Sequence, residues 1–487
     1  MKRLFIFVLL ILLSISIYAA SKDILTITHF STTLNQEKIF RVYFPPDAKP
    51  GEKFPVLFVL HGAYGGYKDW IDRTNIEDLA DNYRMILVFP DGGEFGWYVD
   101  SPIEKDSQYE TYVAKELVTK IDSLFPTVVS REGRGIMGLS MGGHGALLLS
   151  AKHPDVFGSA SALSGILKIT EHPDKWHIAE RLGSMNENQK VWEDNSVWEQ
   201  AERFKDANVK ILFDCGVDDT QTGAINDSRK FHERLVELKI PHIWREMAGT
   251  HSWDYWQTHL EEHLNFHQAA MVKGTPNPDK VRQIYFERLS TFFEENSKLS
   301  FEKPDKPTVC LLGSSSMQGF PSDLLPEYYV YNRGIGSDTL GIGTRGISHR
   351  LEESVFDMRP NFVLIMNGTN DLGDRYRTGE PSIARMIEEY EKIVLKIRER
   401  LPETKLFIVT CQPVRDKYAH LTTPTHSFNM QLKSIAEKHK IPVIDIYGKL
   451  VGEDSLIKPE YTTDGLHLSP EGQKILAEMI KEKITKE

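Results

Sequence analysis

Gly135-Ile136-Met137-Gly138-Leu139-Ser140-Met141-Gly142-Gly143-His144-Gly145-Ala146-Leu147-Leu148-Leu149 decides how the first half of this chain reads. An apolar, strand-like run leads into Gly-x-Ser-x-Gly. A helix-forming run from Gly145 to Leu149 comes next. A serine on so sharp a strand-to-helix turn needs glycine on both flanks, because a side chain there would strike neighbouring backbone. Ser140 is therefore a candidate nucleophile.

Outward from this turn, short apolar runs alternate with helical stretches. The runs are Pro55–Leu60, Met85–Phe89, Gly135–Gly138 and Val209–Phe213. Between them, Tyr112–Leu124 places apolar residues at 113, 117, 118, 121 and 124, a 3.6-residue period that predicts a helix. Strands alternating with helices predict a mainly parallel sheet covered on both faces. Leu25–Thr28 and Phe40–Phe44 read as two further extended segments. The rest of a triad comes in the order Ser, Asp, His. Asp219 lies just after the strand ending at Phe213, and His251 after a strand around Ile243-Trp244. A carboxylate holds the imidazole tautomer and the imidazole takes the serine proton. The backbone N–H of Met141 and that of Ala63, in His61-Gly62-Ala63-Tyr64-Gly65-Gly66, are the expected oxyanion donors.

Near residue 272 the pattern restarts. Gly274-Thr275-Pro276-Asn277-Pro278 is a breaker cluster, succeeded by a helix candidate from about Asp279 to Ser297. Strand candidates recur at Thr308–Leu312, Phe362–Met366, Leu406–Thr410 and Val443–Ile446. A second ordered set rides on them: Gly313-Ser314-Ser315-Ser316, then Asn332–Thr339, then Gly368-Thr369-Asn370-Asp371, then Asp464 and His467. With 487 residues the chain exceeds one ordinary core. We expect residues 21–271 and 272–487 as two domains, with 272–307 serving as linker and leading helix.

The remaining composition narrows the function. Met1-Lys2-Arg3, an apolar run from Leu4 to about Leu13, and small residues through Ala20 read as an export signal over residues 1–20. An uncleaved anchor is the alternative, although the apolar stretch is short for a bilayer span. Without those two cations, 56 Lys and Arg (58 minus 2) face 69 Asp and Glu, a net charge of −13. An acidic chain with no basic run is a poor partner for nucleic acid or anionic membrane. Cys215, Cys310 and Cys411 sit in apolar runs and read as buried thiols, not as a disulfide framework.

The first half, about 24–270, resembles the esterase D-like branch of the α/β-hydrolases. The matching pieces are Leu60-His61-Gly62, Pro90-Asp91-Gly92-Gly93 with Trp97-Tyr98, Gly138–Gly145 and Cys215-Gly216-Val217-Asp218-Asp219. That branch includes feruloyl and acetyl xylan esterases, antigen 85 acyltransferases and S-formylglutathione hydrolases. Its Gly-x-x-Asp pattern points to Asp219 over Asp218. The second half, about 280–487, resembles the SGNH or GDSL-like hydrolases, whose fold is flavodoxin-like. The match assigns Ser315 as nucleophile, Asn370 as a side-chain oxyanion donor, and Asp464 and His467 as acid and base. The family's oxyanion glycine corresponds to Ser337, with Gly336 beside it as an alternative donor.

These resemblances imply serine acyl-enzyme chemistry in both halves, with no metal and no cofactor. They favour an exported, bifunctional carbohydrate esterase removing feruloyl or acetyl groups from plant polysaccharide such as xylan. All eight tryptophans fall in the first half. Trp97 and Trp253 are candidate substrate contacts, and Trp176, Trp192 and Trp198 lie in a polar insertion, 166–206, where a lid could sit. The alternatives are a single active esterase with a non-catalytic sugar-binding partner domain, a small-ester or thioester hydrolase, and an acyltransferase.

Overall fold

The computed structural model describes residues 24–271 and 279–486. The leader expected at 1–20 lies outside the described residues. The chain divides into two compact units, Met1–Pro278 and Asp279–Glu487.

The first unit is built on eight strands: β1 (Leu25–Ser31), β2 (Gln36–Tyr43), β3 (Val56–Leu60), β4 (Ile86–Pro90), β5 (Arg134–Leu139), β6 (Ser159–Leu163), β7 (Lys210–Gly216) and β8 (Ile243–Met247). Their order is β1-β2-β4-β3-β5-β6-β7-β8. β1 and β2 run antiparallel to their neighbours, and β3 to β8 pair in parallel. Every residue of β3, β4, β5 and β6 is buried. That is why β3, β4 and the Gly135–Leu139 part of β5 read as unbroken apolar runs, whereas β6, equally buried, carries Ser159 and Ser161, and β1 alternates. Helices α1 (Met141–Lys152), α2 (Ala224–Glu237) and α3 (Trp253–Met271) help cover the sheet.

The segment predicted as a regular helix over 112–124 is helical, but Tyr112–Leu117 forms a π-turn. Val113, Leu117, Val118 and Ile121 are buried as the period predicts, whereas Leu124, the last helical residue, lies 41% exposed.

Helix α3 is pinned by a buried polar chain. His263 contacts Ser161 Oγ and Asp214 Oδ2, both at 2.8 Å. His267 contacts the hydroxyls of Ser159 and Ser161, also at 2.8 Å. Burial pushes the His267 imidazole well below its ordinary pKa, so it bonds as a neutral ring.

The second unit holds β9 (Thr308–Gly313), β10 (Tyr329–Gly334), β11 (Phe362–Met366), β12 (Lys405–Val409) and β13 (Val443–Ile444). Their order, β10-β9-β11-β12-β13, is parallel throughout. Counted within the unit this is 2-1-3-4-5, the flavodoxin-like winding, with its switch point between β9 and β11. Alternation along β11 feeds two cores. Val363 and Ile365 join the side chains of α5 (Ile383–Arg400) and α6 (Thr422–Lys438). Leu364 and Met366 join those of α7 (Pro470–Thr485).

The leading helix, α4 (Lys280–Asn296), belongs to this second unit. Its first turn is capped by the Asp279 carboxylate, which accepts from the N–H groups of Val281 and Arg282. Farther along, the Phe292 ring meets the guanidinium of the fully buried Arg333 at 4.5 Å. The Asn296 side-chain oxygen accepts from Arg333 as well. A buried guanidinium needs such partners, and α4 supplies them. Among the described residues no helix is long and apolar enough to cross a membrane. All three cysteines are free and buried.

Candidate active sites

In the first unit β5 ends just before Ser140, whose φ of +53° is unfavourable for a side-chain-bearing residue. The sequence permits this turn because its neighbours are glycine. A Cβ on Gly138 would stand 2.4 Å from the Gly142 backbone, and one on Gly142 2.5 Å from the Leu60 carbonyl. The turn lifts Oγ toward the loop after β8. There His251 Nε2 lies 2.9 Å from Ser140 Oγ, and His251 Nδ1 lies 2.6 Å from Asp219 Oδ2. Asp219 is buried, and its other oxygen accepts from the Thr222 hydroxyl. Asp218, the neighbouring acid, takes no part in this geometry.

The donor groups expected around Ser140 are in place. Met141 N–H opens α1, where no earlier carbonyl can accept it. The Ala63 N–H has no acceptor among the described residues, and Ala63 lines the same cavity as Ser140 and His251. Buried His61 holds this loop. Its Nε2 accepts from Gly92 N–H at 2.9 Å, so Nδ1 carries the proton and donates to Gly62 O at 2.8 Å. Burial lowers the His61 pKa, which preserves that neutral tautomer. The role of His61 was not legible in the sequence, because its partner lies on another loop.

The cavity beside Ser140 measures 260 Å³. Trp97, Trp176, Trp253 and Trp256 line it. Trp256 meets the His251 ring edge-to-face at 5.0 Å and Trp253 at 5.1 Å. Trp97 donates its Nε1 proton to the Trp176 carbonyl at 2.9 Å. Of the three tryptophans in the insertion, Trp176 reaches the cavity. Trp192 does not: it is fully buried in the core and bonds Gly183 O. Trp198 packs under the ammonium of Lys168. The insertion places one aromatic wall, not three, at the site.

In the second unit, motifs after β9 and β11 meet at the switch point, where ligands of such sheets bind. Ser315 lies just past β9, and His467 Nε2 stands 3.0 Å from its Oγ. His467 Nδ1 lies 2.9 Å from Asp464 Oδ2. Among three successive serines, Ser315 faces the histidine. Ser316 accepts instead from the Gln412 amide at 2.8 Å. Burial acts to raise the Asp464 pKa. Donation from the His467 N–H, the His467 ring and the Leu466 N–H outweighs it and holds the carboxyl at about 2.

Ser337 adopts φ +60°, the left-handed conformation, at the position where the family resemblance puts a glycine. Its N–H has no acceptor among the described residues. Gly336 is excluded as the substitute, because its N–H already donates to Gln318 Oε1 at 2.6 Å. Asn370 Nδ2 gives one proton to the Asp338 carbonyl at 2.8 Å, which leaves its second proton for a ligand. The turn is tied down by a buried pair. Arg350 donates through Nε to Asp338 Oδ2 at 2.9 Å and, through its other nitrogens, to the carbonyls of Arg333 and Gly313. Arg350 therefore links the Ser337 turn to the end of β9. No spacing in the sequence signals it.

Each arrangement can perform the same chemistry. Histidine Nε2 takes the serine proton as Oγ attacks an ester carbonyl. The carbonyl oxygen becomes an oxyanion facing the N–H donors. Nε2 then returns its proton to the departing alcohol, leaving an acyl-serine that water cleaves by the reverse sequence.

Comparison with known proteins agrees with this chemistry. The esterase family profile matches residues 31–267, and that of the GDSL-like lipase/acylhydrolase family matches residues 310–475. An acetyl esterase of Caldicellulosiruptor saccharolyticus is 30% identical over 260 residues, covering 49% of this chain and 95% of that protein. An S-formylglutathione hydrolase of Arabidopsis thaliana is 27% identical, covering 50% and 92%. A solved ferulic acid esterase shares 26% identity with a TM-score of 0.44, over 51% of this chain and 98% of its own. The chain is thus a carboxylic ester hydrolase that belongs to the esterase family through its first half and carries a GDSL-like acylhydrolase domain in its second.

Proposed function

We propose that this chain is an exported, bifunctional carbohydrate esterase that removes feruloyl and acetyl groups from plant polysaccharide such as xylan. Ser140, His251 and Asp219 serve as nucleophile, base and acid of the first site, with Ala63 and Met141 as oxyanion donors. Ser315, His467 and Asp464 serve the second, with Ser337 and Asn370 as donors. The carrying observation is that each unit holds a complete Ser–His–Asp chain, at 2.9 and 2.6 Å in one and 3.0 and 2.9 Å in the other. The four tryptophans around Ser140 support an aromatic or sugar-bearing ester there. The name of the acetyl esterase relative supports the same reading.

The test is product analysis on feruloylated, acetylated arabinoxylan. Intact protein, Ser140→Ala, Ser315→Ala and the double variant are compared for ferulate and acetate released. Each single variant should lose one separable activity. A double variant with full activity sinks the assignment. A second reading, a small-thioester hydrolase, draws on the S-formylglutathione hydrolase relative. Rapid turnover of formylglutathione with none on polysaccharide would establish it instead.

A further inference from the structure

A cavity of 540 Å³ lies in the second unit, apart from the Ser315–His467–Asp464 chain. It has the size of a small-ligand pocket, on the order of 300–1,000 Å³. Thr339 and Asp371 line it. Each is the chain neighbour of an oxyanion-side residue: Thr339 comes after Asp338, whose carbonyl holds the Asn370 amide, and Asp371 comes after Asn370. The cavity therefore borders the two segments that carry the Ser337 and Asn370 donors.

The charges in the cavity do not cancel evenly. Arg282 pairs with Asp279, and Arg385 with Glu380. Asp374 pairs with Arg377. Asp371 accepts from the Leu340 N–H, and burial raises its pKa to about 7, so near neutrality it is only partly charged. Arg345 also lines the cavity, and no hydrogen bond or close ion pair engages its guanidinium among the described residues. Burial raises the pKa of the Asp338 carboxyl, and the charges of Arg350 and Arg345 act to lower it. Among the described residues Arg345 is therefore the one arginine of this lining not held in an ion pair, beside the Asp279–Arg282 and Glu380–Arg385 pairs.

We propose that this cavity is a subsite for a uronic acid residue carried by the acylated oligosaccharide that the Ser315 site cleaves. The sugar carboxylate accepts two parallel N–H bonds from Arg345, the geometry in which a guanidinium binds a carboxylate best. The ring hydroxyls donate to the carboxylates of Asp374 and Glu380. A phosphate fits less well, because a dianion without hydroxyl donors would face those same carboxylates. The inference rests on the esterase reading of the second unit.

The test uses the full chain carrying Ser140→Ala, so that only the second site turns over. Acetylated oligosaccharides with and without a glucuronate branch are compared, and Arg345→Gln is measured beside the parent. The expected result is a fall of about tenfold in kcat/KM on the acidic substrate relative to the neutral one, from removal of one charged hydrogen-bonding fork. The preference should also weaken at high salt. An acidic-to-neutral ratio that Arg345→Gln leaves in place overturns the subsite. Calorimetry with a deacetylated aldouronic oligosaccharide on the Ser140→Ala, Ser315→Ala protein separates the two hypotheses. Binding that Arg345→Gln abolishes keeps the subsite even if the parent cleaves no ester. No binding, with ester cleavage intact, overturns the subsite and leaves the esterase reading standing.

Discussion

Gln412 donates its side-chain amide to Ser316 Oγ and to Leu466 O, both at 2.8 Å. It is almost fully buried and sits just past β12. One side chain thus ties the turn bearing Ser315 to the loop bearing His467. Removing it frees two loops that must meet within 3.0 Å. In a Ser140→Ala background, Gln412→Ala should lower kcat on an aryl acetate by about 10- to 100-fold, because displacements near 1 Å cost that much. Gln412→Glu keeps the volume but cannot donate, so it should fail to rescue. A kcat that stays within twofold in both variants refutes this positioning role.

The two acids differ in their surroundings. Asp219 is buried and faces Thr222, Cys215 and His251. Asp464 has a half-exposed side chain, as does His467. Water can replace a lost carboxylate beside His467 but not beside His251. Asp219→Asn should therefore cost the first site about 10⁴-fold in kcat, the scale set by losing the imidazole tautomer. Asp464→Asn should cost the second site at least tenfold less. Equal losses, measured on substrates assigned to each site by the serine variants, contradict this difference.

Local chemistry accounts for the features that were legible in the sequence. Gly138 and Gly142 are required by close backbone contacts, so Gly-x-Ser-x-Gly announces its own turn. The β3, β4 and β5 runs are apolar because both faces are covered, whereas the equally buried β6, with Ser159 and Ser161, did not stand out as a strand. Ser140, Asp219 and His251 lie just past β5, β7 and β8. Long-range ties escaped. His61 acts through Gly92, Gln412 through Ser316 and Leu466, and Arg350 through Asp338 and Gly313. None of these pairs has a fixed spacing. The insertion 166–206 was equally opaque, because tryptophan composition cannot tell a core residue such as Trp192 from a cavity wall such as Trp176.

Asp371 gives the second unit a pH signature. Burial raises its folded-state pKa to about 7, against an ordinary value near 3.9. The folded state then holds the proton more tightly than the unfolded state. Its contribution to stability is fully present below about pH 4 and is lost as pH rises through about 7. The unfolding midpoint of the second unit should fall between pH 5 and pH 8, and Asp371→Asn, which cannot ionise, should flatten that slope. Calorimetric scans of the full chain at both pH values decide it. An unchanged slope in the variant shows that other groups set it.

Ser337 stands at φ +60°, and its backbone N–H, which has no acceptor among the described residues, is the donor proposed for the second site. A left-handed residue with a Cβ is strained by about 1–2 kcal/mol, whereas glycine adopts the conformation freely. Glycine also loses more chain entropy on folding, which offsets part of that relief. Ser337→Gly should therefore change stability by less than about 1 kcal/mol, toward stabilisation. If the N–H is the oxyanion donor, second-site kcat should stay within about threefold of the parent. The serine hydroxyl has no bond that the substitution would remove among the described residues. A hundredfold loss in Ser337→Gly, with an unchanged unfolding midpoint, would show that the hydroxyl itself contacts the reacting ester. The donor set of the second site would then differ from that of the first in kind, with a side-chain O–H in place of a backbone N–H.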